Sequence, residues 1–105
     1  MMTPGQARKM FEQAMKDVAP KEHRNMRQGR KLDWFLNRLT KEFSETREFL
    51  QAQAVEQVSP IGAPEYKEDP MELVQEINSR FKMAEDTAIT QAIEQIEALR
   101  TTESA

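Results

Sequence analysis

Residues 31–50 read KLDWFLNRLTKEFSETREFL. Leu32, Leu36, Leu39, Phe43, Thr46 and Leu50 recur there at alternating intervals of four and three. That spacing lays one continuous apolar stripe along an α-helix. Upstream, Pro20 can open the same helix, with Glu22 in its first turn. Downstream, nothing interrupts helicity before Val58, so the pattern predicts one long helix over 21–58. Gly29 is its weak point, at roughly 1 kcal/mol relative to Ala in a helix interior, and a firm start only after Gly29 is the alternative.

On the N-terminal side, Thr3-Pro4 offers an N-cap followed by proline at the first helical position. Ala7, Met10, Phe11, Ala14, Met15 and Val18 then recur at helical spacing, which predicts a short helix over 4–19 ended by Pro20. On the C-terminal side, SPIGAPEYKEDP at 59–70 holds three of the five prolines. It predicts a linker over 59–69, with Ile61 and Tyr66 as possible anchors. Asp69-Pro70-Met71-Glu72 restarts a helix: N-cap, proline, then an acidic residue in the first turn. This third helix is expected over 70–100, its face formed by Val74, Ile77, Phe81, Ala84, Ala88, Ala92, Ile96 and Leu99. Residues 101–105 then read as a flexible tail.

The expected fold is therefore all-α and a single domain over 1–100. A short N-terminal helix accompanies two long helices of roughly 55 and 45 Å. The long helices form an antiparallel, coiled-coil-like hairpin, completed by oligomerisation.

Composition narrows the function. The chain has 105 residues, 31% of them charged and 38% hydrophobic, a balance suited to long solvated helices. Cysteine is absent, which excludes disulfides, thiolate zinc sites and cysteine nucleophiles. Cysteine-free composition and the lack of a signal-peptide core or a bilayer-length apolar run lead to an expected cytoplasmic location, within a larger particle or complex. The three glycines are isolated, so no P-loop or dinucleotide fingerprint exists. His23, the sole histidine, has no carboxylate at ligand spacing and reads as a solvated residue near a helix start. Glu42 with Glu45, Glu72 with Glu76, and Glu94 with Glu97 share faces and could in principle hold a divalent metal. On long helices such pairs more often meet basic residues one turn away, as Glu42 would meet Arg38 and Glu76 would meet Arg80. Glu85 projects close to the apolar stripe and is expected to pair with an Arg or Lys of a neighbouring helix. No catalytic residue, metal, cofactor or small-molecule substrate is expected.

Two surfaces invite partners. Ala84, Ala88 and Ala92 form a small-residue ridge, with Ile89, Ile93 and Ile96 as a second row, an apolar band wider than one antiparallel neighbour needs. Either the first helix covers the extra row or a second copy or a partner does, and the narrow, elongated hairpin, too slender for a self-sufficient core, favours the latter. Arg27, Arg30, Lys31, Arg38 and Lys41 surround Trp34, which lies roughly 160° around the helix from Leu32. An Arg-ringed tryptophan fits a protein-binding hot spot or a nucleic-acid surface. The plain alternative is that the first helix packs on this side. That helix, with Met10, Phe11, Met15 and Val18 beside Arg8, Lys9 and Lys16, fits the hairpin better than a membrane surface.

Charge is uneven: residues 1–58 carry eleven Lys/Arg against eight Asp/Glu, and residues 59–105 four against ten. The sequence thus predicts a non-catalytic interaction module: an adaptor, scaffold, structural subunit or inhibitor that binds protein and self-associates through the third helix. A nucleic-acid-binding accessory factor using the basic face is the alternative.

Overall fold

The computed structural model describes residues 2–58 and 70–104; Ile61, Tyr66 and Asp69 lie outside them. Four helices follow in order: α1 (Pro4–Val18), α2 (Pro20–Gln28), α3 (Leu32–Val58) and α4 (Pro70–Ser104). The long helices α3 and α4 pair antiparallel, as expected.

α1 begins as its sequence dictates. The Gln6 N–H donates to Thr3 Oγ1 at 3.2 Å, and the Thr3 N–H donates to Gln6 Oε1 at 2.9 Å. This capping box satisfies donors that the first turn would otherwise leave open. Ala7, Phe11 and Met15, one turn apart, are fully buried. The helix stops at Ala19, whose backbone (φ −138°, ψ 65°) is driven out of the helical region by the ring of Pro20. Along one straight helix Glu12 and His23 would lie about 16 Å apart. Their side chains are 3.0 Å apart, so the chain bends at Ala19 and turns α2 toward α1.

The single helix expected over 21–58 is two helices. Lys31 donates its N–H to the Met26 carbonyl at 2.8 Å, and Arg30 donates to Arg27 at 3.3 Å. These two bonds are the 6→1 and 5→2 pair of a Schellman cap. Its left-handed position is usually glycine, yet here it is Arg30, at φ 60°, with Gly29 one residue early. A Cβ on Gly29 would stand 3.2 Å from the Asn25 carbonyl oxygen, a tight contact that would need a shift of a few tenths of an ångström. A left-handed L-residue costs about 1–2 kcal/mol. Arg30→Gly is therefore expected to raise stability by about 1 kcal/mol, read as a higher urea midpoint. A lower midpoint would mean that the arginine side chain contributes more than its backbone loses.

The packing explains the break. α1 lies against both α3 and α4 over the half of the hairpin that holds the start of α3. Its N-terminus touches Arg47 and Glu85, and the chain then reaches the α4 C-terminus, where the Glu22 N–H donates to Glu103 Oε1 at 2.7 Å. α2 crosses this end to deliver the chain to α3. Glu103 thereby holds the last turn of α4, so residues 101–104 continue the helix instead of forming the expected tail.

The core is a three-helix cluster of Ala7, Phe11 and Met15, of Phe35, Leu36, Leu39 and Phe43, and of Ala88, Ala92 and Ile96. Phe11 meets Phe43 edge to face, with centroids 5.6 Å apart and planes at 75°. Beyond Arg47 only the α3–α4 pair continues. The molecule is therefore long, 57 × 23 × 19 Å. Its radius of gyration is 17.9 Å, against about 13 Å for a compact domain of this length.

Candidate interaction surface

The two expected surfaces have opposite fates. Ala84, Ala88, Ala92 and Ile96 are all buried within the chain. The alanines let α3 approach α4 closely, and α1 completes the cover. Ile89 and Ile93 are partly buried against the same core. The wide apolar band of α4 thus serves two neighbours in its own chain, and the ridge is not an available face.

The Trp34 face is open. Arg27, Arg30, Lys31, Arg38 and Lys41 are exposed, and Trp34 itself is 63% exposed. The break at Gly29 redistributes these residues. Arg27 stands on α2 and Arg30 in the turn, while Trp34, Arg38 and Lys41 share the solvent side of α3. Arg38 places its guanidinium carbon 4.9 Å from the Trp34 ring centre, a cation–π contact that pins both side chains. Phe35, beside Trp34, turns inward and is buried. α1 contributes only its edge here, through an Arg8–Asp33 ion pair.

Three carboxylates on the polar faces meet cations one turn away. Arg38 approaches Glu42 at 4.0 Å, Lys41 approaches Glu45 at 3.9 Å, and Arg80 approaches Glu76 at 3.2 Å. Such exposed pairs contribute little to stability. Glu42 also accepts from Gln95 Nε2 at 2.9 Å across the α3–α4 groove. Among the described residues, no three His, Asp or Glu side chains converge as a metal site would need. No described helix is long and apolar enough to cross a membrane.

His23 departs from the expected solvated position. It is 7% exposed and bonds Glu12 Oε2 at 3.0 Å through Nε2. Folding α2 onto α1 buries the ring, and spacing along a single helix could not reveal the partner. The His23 hydrogen bond holds the Glu12 carboxyl below its ordinary value of 4.5, assisted by the charges of Lys16, His23 and Arg8, and opposed by burial. A depressed carboxylate pKa stabilises the fold above the unfolded-state value, and that contribution is lost as pH falls through the folded-state value. The stability gap between the parent and Glu12→Gln is thus expected to narrow as thermal melts are taken from about pH 7 to about pH 3. A gap that held constant would mean the carboxylate charge contributes nothing.

The expected pairing of Glu85 is present: Glu85 Oε2 lies 3.3 Å from Arg47 Nη1 and accepts the Met2 N–H at 3.1 Å. Sequence reading overlooked Arg47, which is buried and places its guanidinium 4.8 Å from the Phe43 ring centre. Its position four residues after Phe43, on the core side of the leucine stripe, is the signal that was available. The far half of the hairpin also exposes Phe49, Val55, Met71, Val74 and Met83. There a groove of about 590 Å³ runs between Leu50 and Ala54 on α3 and Arg80, Met83 and Ala84 on α4.

No family model, curated protein or solved structure matches the chain.

Proposed function

We propose that this chain is a non-catalytic helical interaction module, a small adaptor, scaffold, structural subunit or inhibitor of a larger assembly, that engages a protein partner through the Trp34 face of α3. The observation that carries this reading is the large exposure of Trp34 beneath the guanidinium of Arg38. Tryptophan and arginine dominate binding hot spots because a large rigid ring and a planar cation bury much area at little entropic loss. Burying the exposed part of the ring would contribute about 4 kcal/mol before the costs of association. That is half of what a micromolar complex requires, at about −8 kcal/mol. An intracellular setting belongs to this reading, on the cysteine-free composition.

Self-association through α4, within this reading, would use the partly exposed Ile89 and Ile93, since Ala84, Ala88, Ala92 and Ile96 are buried within the chain. The second reading is a nucleic-acid-binding accessory or regulatory factor, favoured by the exposed Arg27, Arg30 and Lys31 on α2 and the cap that precede the tryptophan.

Trp34→Ala removes an exposed ring and leaves the core intact. It is expected to retain the parent's helical spectrum and melting temperature while weakening a partner captured from the native host at least about tenfold. Undiminished capture would place the binding surface elsewhere. Retardation of DNA or RNA that weakens steeply with salt, and is lost when Arg27, Arg30 and Arg38 become Ala, would transfer the function to the second reading.

A further inference from the structure

We infer that the Trp34 face recognises an acidic peptide segment of its partner, a run of carboxylates flanking one apolar anchor. The inference rests on the interaction reading above and specifies the partner's chemistry. Residues 20–41, spanning α2, the cap and the first turns of α3, hold seven Lys and Arg against Glu22 and Asp33, a net +5. In a chain of net −3, everything else sums to −8. All seven cations are exposed, whereas Glu22 is half-buried and Asp33 is bound to Arg8. The two carboxylates that approach the patch from further along α3 do so only at 4.0 Å (Glu42 to Arg38) and 3.9 Å (Glu45 to Lys41). Both pairs are solvent-exposed and readily exchanged for a partner's carboxylates.

The size of the patch favours a peptide. α2 is nine residues long, about 14 Å, and the α3 segment from Leu32 to Lys41 adds about 15 Å. A nucleic-acid strand or duplex that ran on along the hairpin would meet α4, which carries three Lys/Arg against seven Asp/Glu. A short acidic segment stays within the positive field, which salt confines to about 8 Å. The aromatic content agrees. Sequence-tolerant binding of single strands stacks successive bases on several rings, and here one exposed ring is already covered on one side by Arg38. That leaves one open face, suited to one apolar side chain, with Lys41 exposed on the same helix and Arg27, Arg30 and Lys31 exposed on the preceding α2 and cap. Arg30 is held at φ 60° at the cap, a strained position of the kind that persists where a side chain must project. This end of the molecule already binds one carboxylate of its own, because Glu103 accepts the backbone N–H of Glu22 in the first turn of α2.

Trp34 is the only tryptophan, so its fluorescence reports the face directly. The probes are a fluorescein-labelled peptide of Glu and Asp with one central Phe, its Gln and Asn counterpart, and a single-stranded oligonucleotide of equal charge. The acidic peptide is expected to bind, to shift Trp34 emission and to weaken with added salt. The amide peptide should bind at least about tenfold more weakly, as should the acidic peptide to an Arg27→Glu, Arg38→Glu variant that melts like the parent. Equal binding of the acidic and amide peptides, or tighter binding of the oligonucleotide, overturns the inference. The wider interaction reading is tested separately. A native partner captured through Trp34 but indifferent to the double charge reversal would leave that reading standing and remove the acidic segment.

Discussion

Replacing Ala88 with Glu is expected to unfold the protein rather than to split an assembly. Ala88 is 1% exposed and faces Leu39 and Phe43 across the α3–α4 seam. The longer side chain would force the helices apart, at about 1–3 kcal/mol for overpacking. Its carboxylate would enter a site lined mainly by apolar groups, adding several kcal/mol unless it takes up a proton. The combined loss approaches the whole stability of a chain this size, about 5–15 kcal/mol. Circular dichroism should show the cooperative helical transition lost or shifted far down. Ala88→Ser, which adds a hydroxyl able to bond the carbonyl one turn back, should lose only about 1 kcal/mol. The ridge would instead face a second copy if Ala88→Glu melted like the parent and converted a sedimenting oligomer into a folded monomer.

Glu85→Ala is expected to produce the second-largest loss. Arg47 is buried against Phe43 and donates to the Met2 carbonyl at 2.6 Å and to Glu85 at 3.3 Å. Removing Glu85 strands the guanidinium among apolar neighbours and deprives the Met2 N–H of its acceptor. Breaking a fully buried pair costs about 3–5 kcal/mol, and the partial exposure of Glu85 reduces this to about 2–3 kcal/mol. A fall in melting temperature of roughly 10 °C or more should follow. Replacing both partners with apolar residues, Arg47→Met with Glu85→Leu, should recover most of the loss, since the pair's desolvation roughly cancels its attraction. If the double variant were as unstable as Glu85→Ala, the ion pair would be supplying net stability beyond mutual compensation. The same contact ties the N-terminus of α1 to the middle of the hairpin. Glu85→Ala should therefore also loosen the cover over Phe43, and Phe43→Ala combined with it should not be additive.

Local rules carried the reading furthest where one segment contains its own answer. Thr3-Pro4 and Gln6 specify the start of α1, Pro20 its end, and the four-three stripe from Leu32 to Leu50 the buried side of α3. Trp34, opposite that stripe, is exposed because helical angle alone places it there. The failures share one cause. The α2–α3 break and the burial of His23 on Glu12 follow from how α1 lies along the hairpin, and Ala88 and Ala92 are covered by helices of their own chain. Period and spacing record how wide an apolar face is, but not whether the group that covers it comes from the same chain. The Schellman cap shows the same division in miniature. Gly29 marked the weak point of a helix, while the left-handed turn fell on Arg30, because the chain had to cross the end of the bundle between α1 and α3. Helix positions, caps and outward-facing residues follow from covalent neighbours and the 3.6-residue period. Which face of α4 stays open and which ions meet depend on contacts between residues some forty to eighty positions apart, whose energies no local pattern encodes.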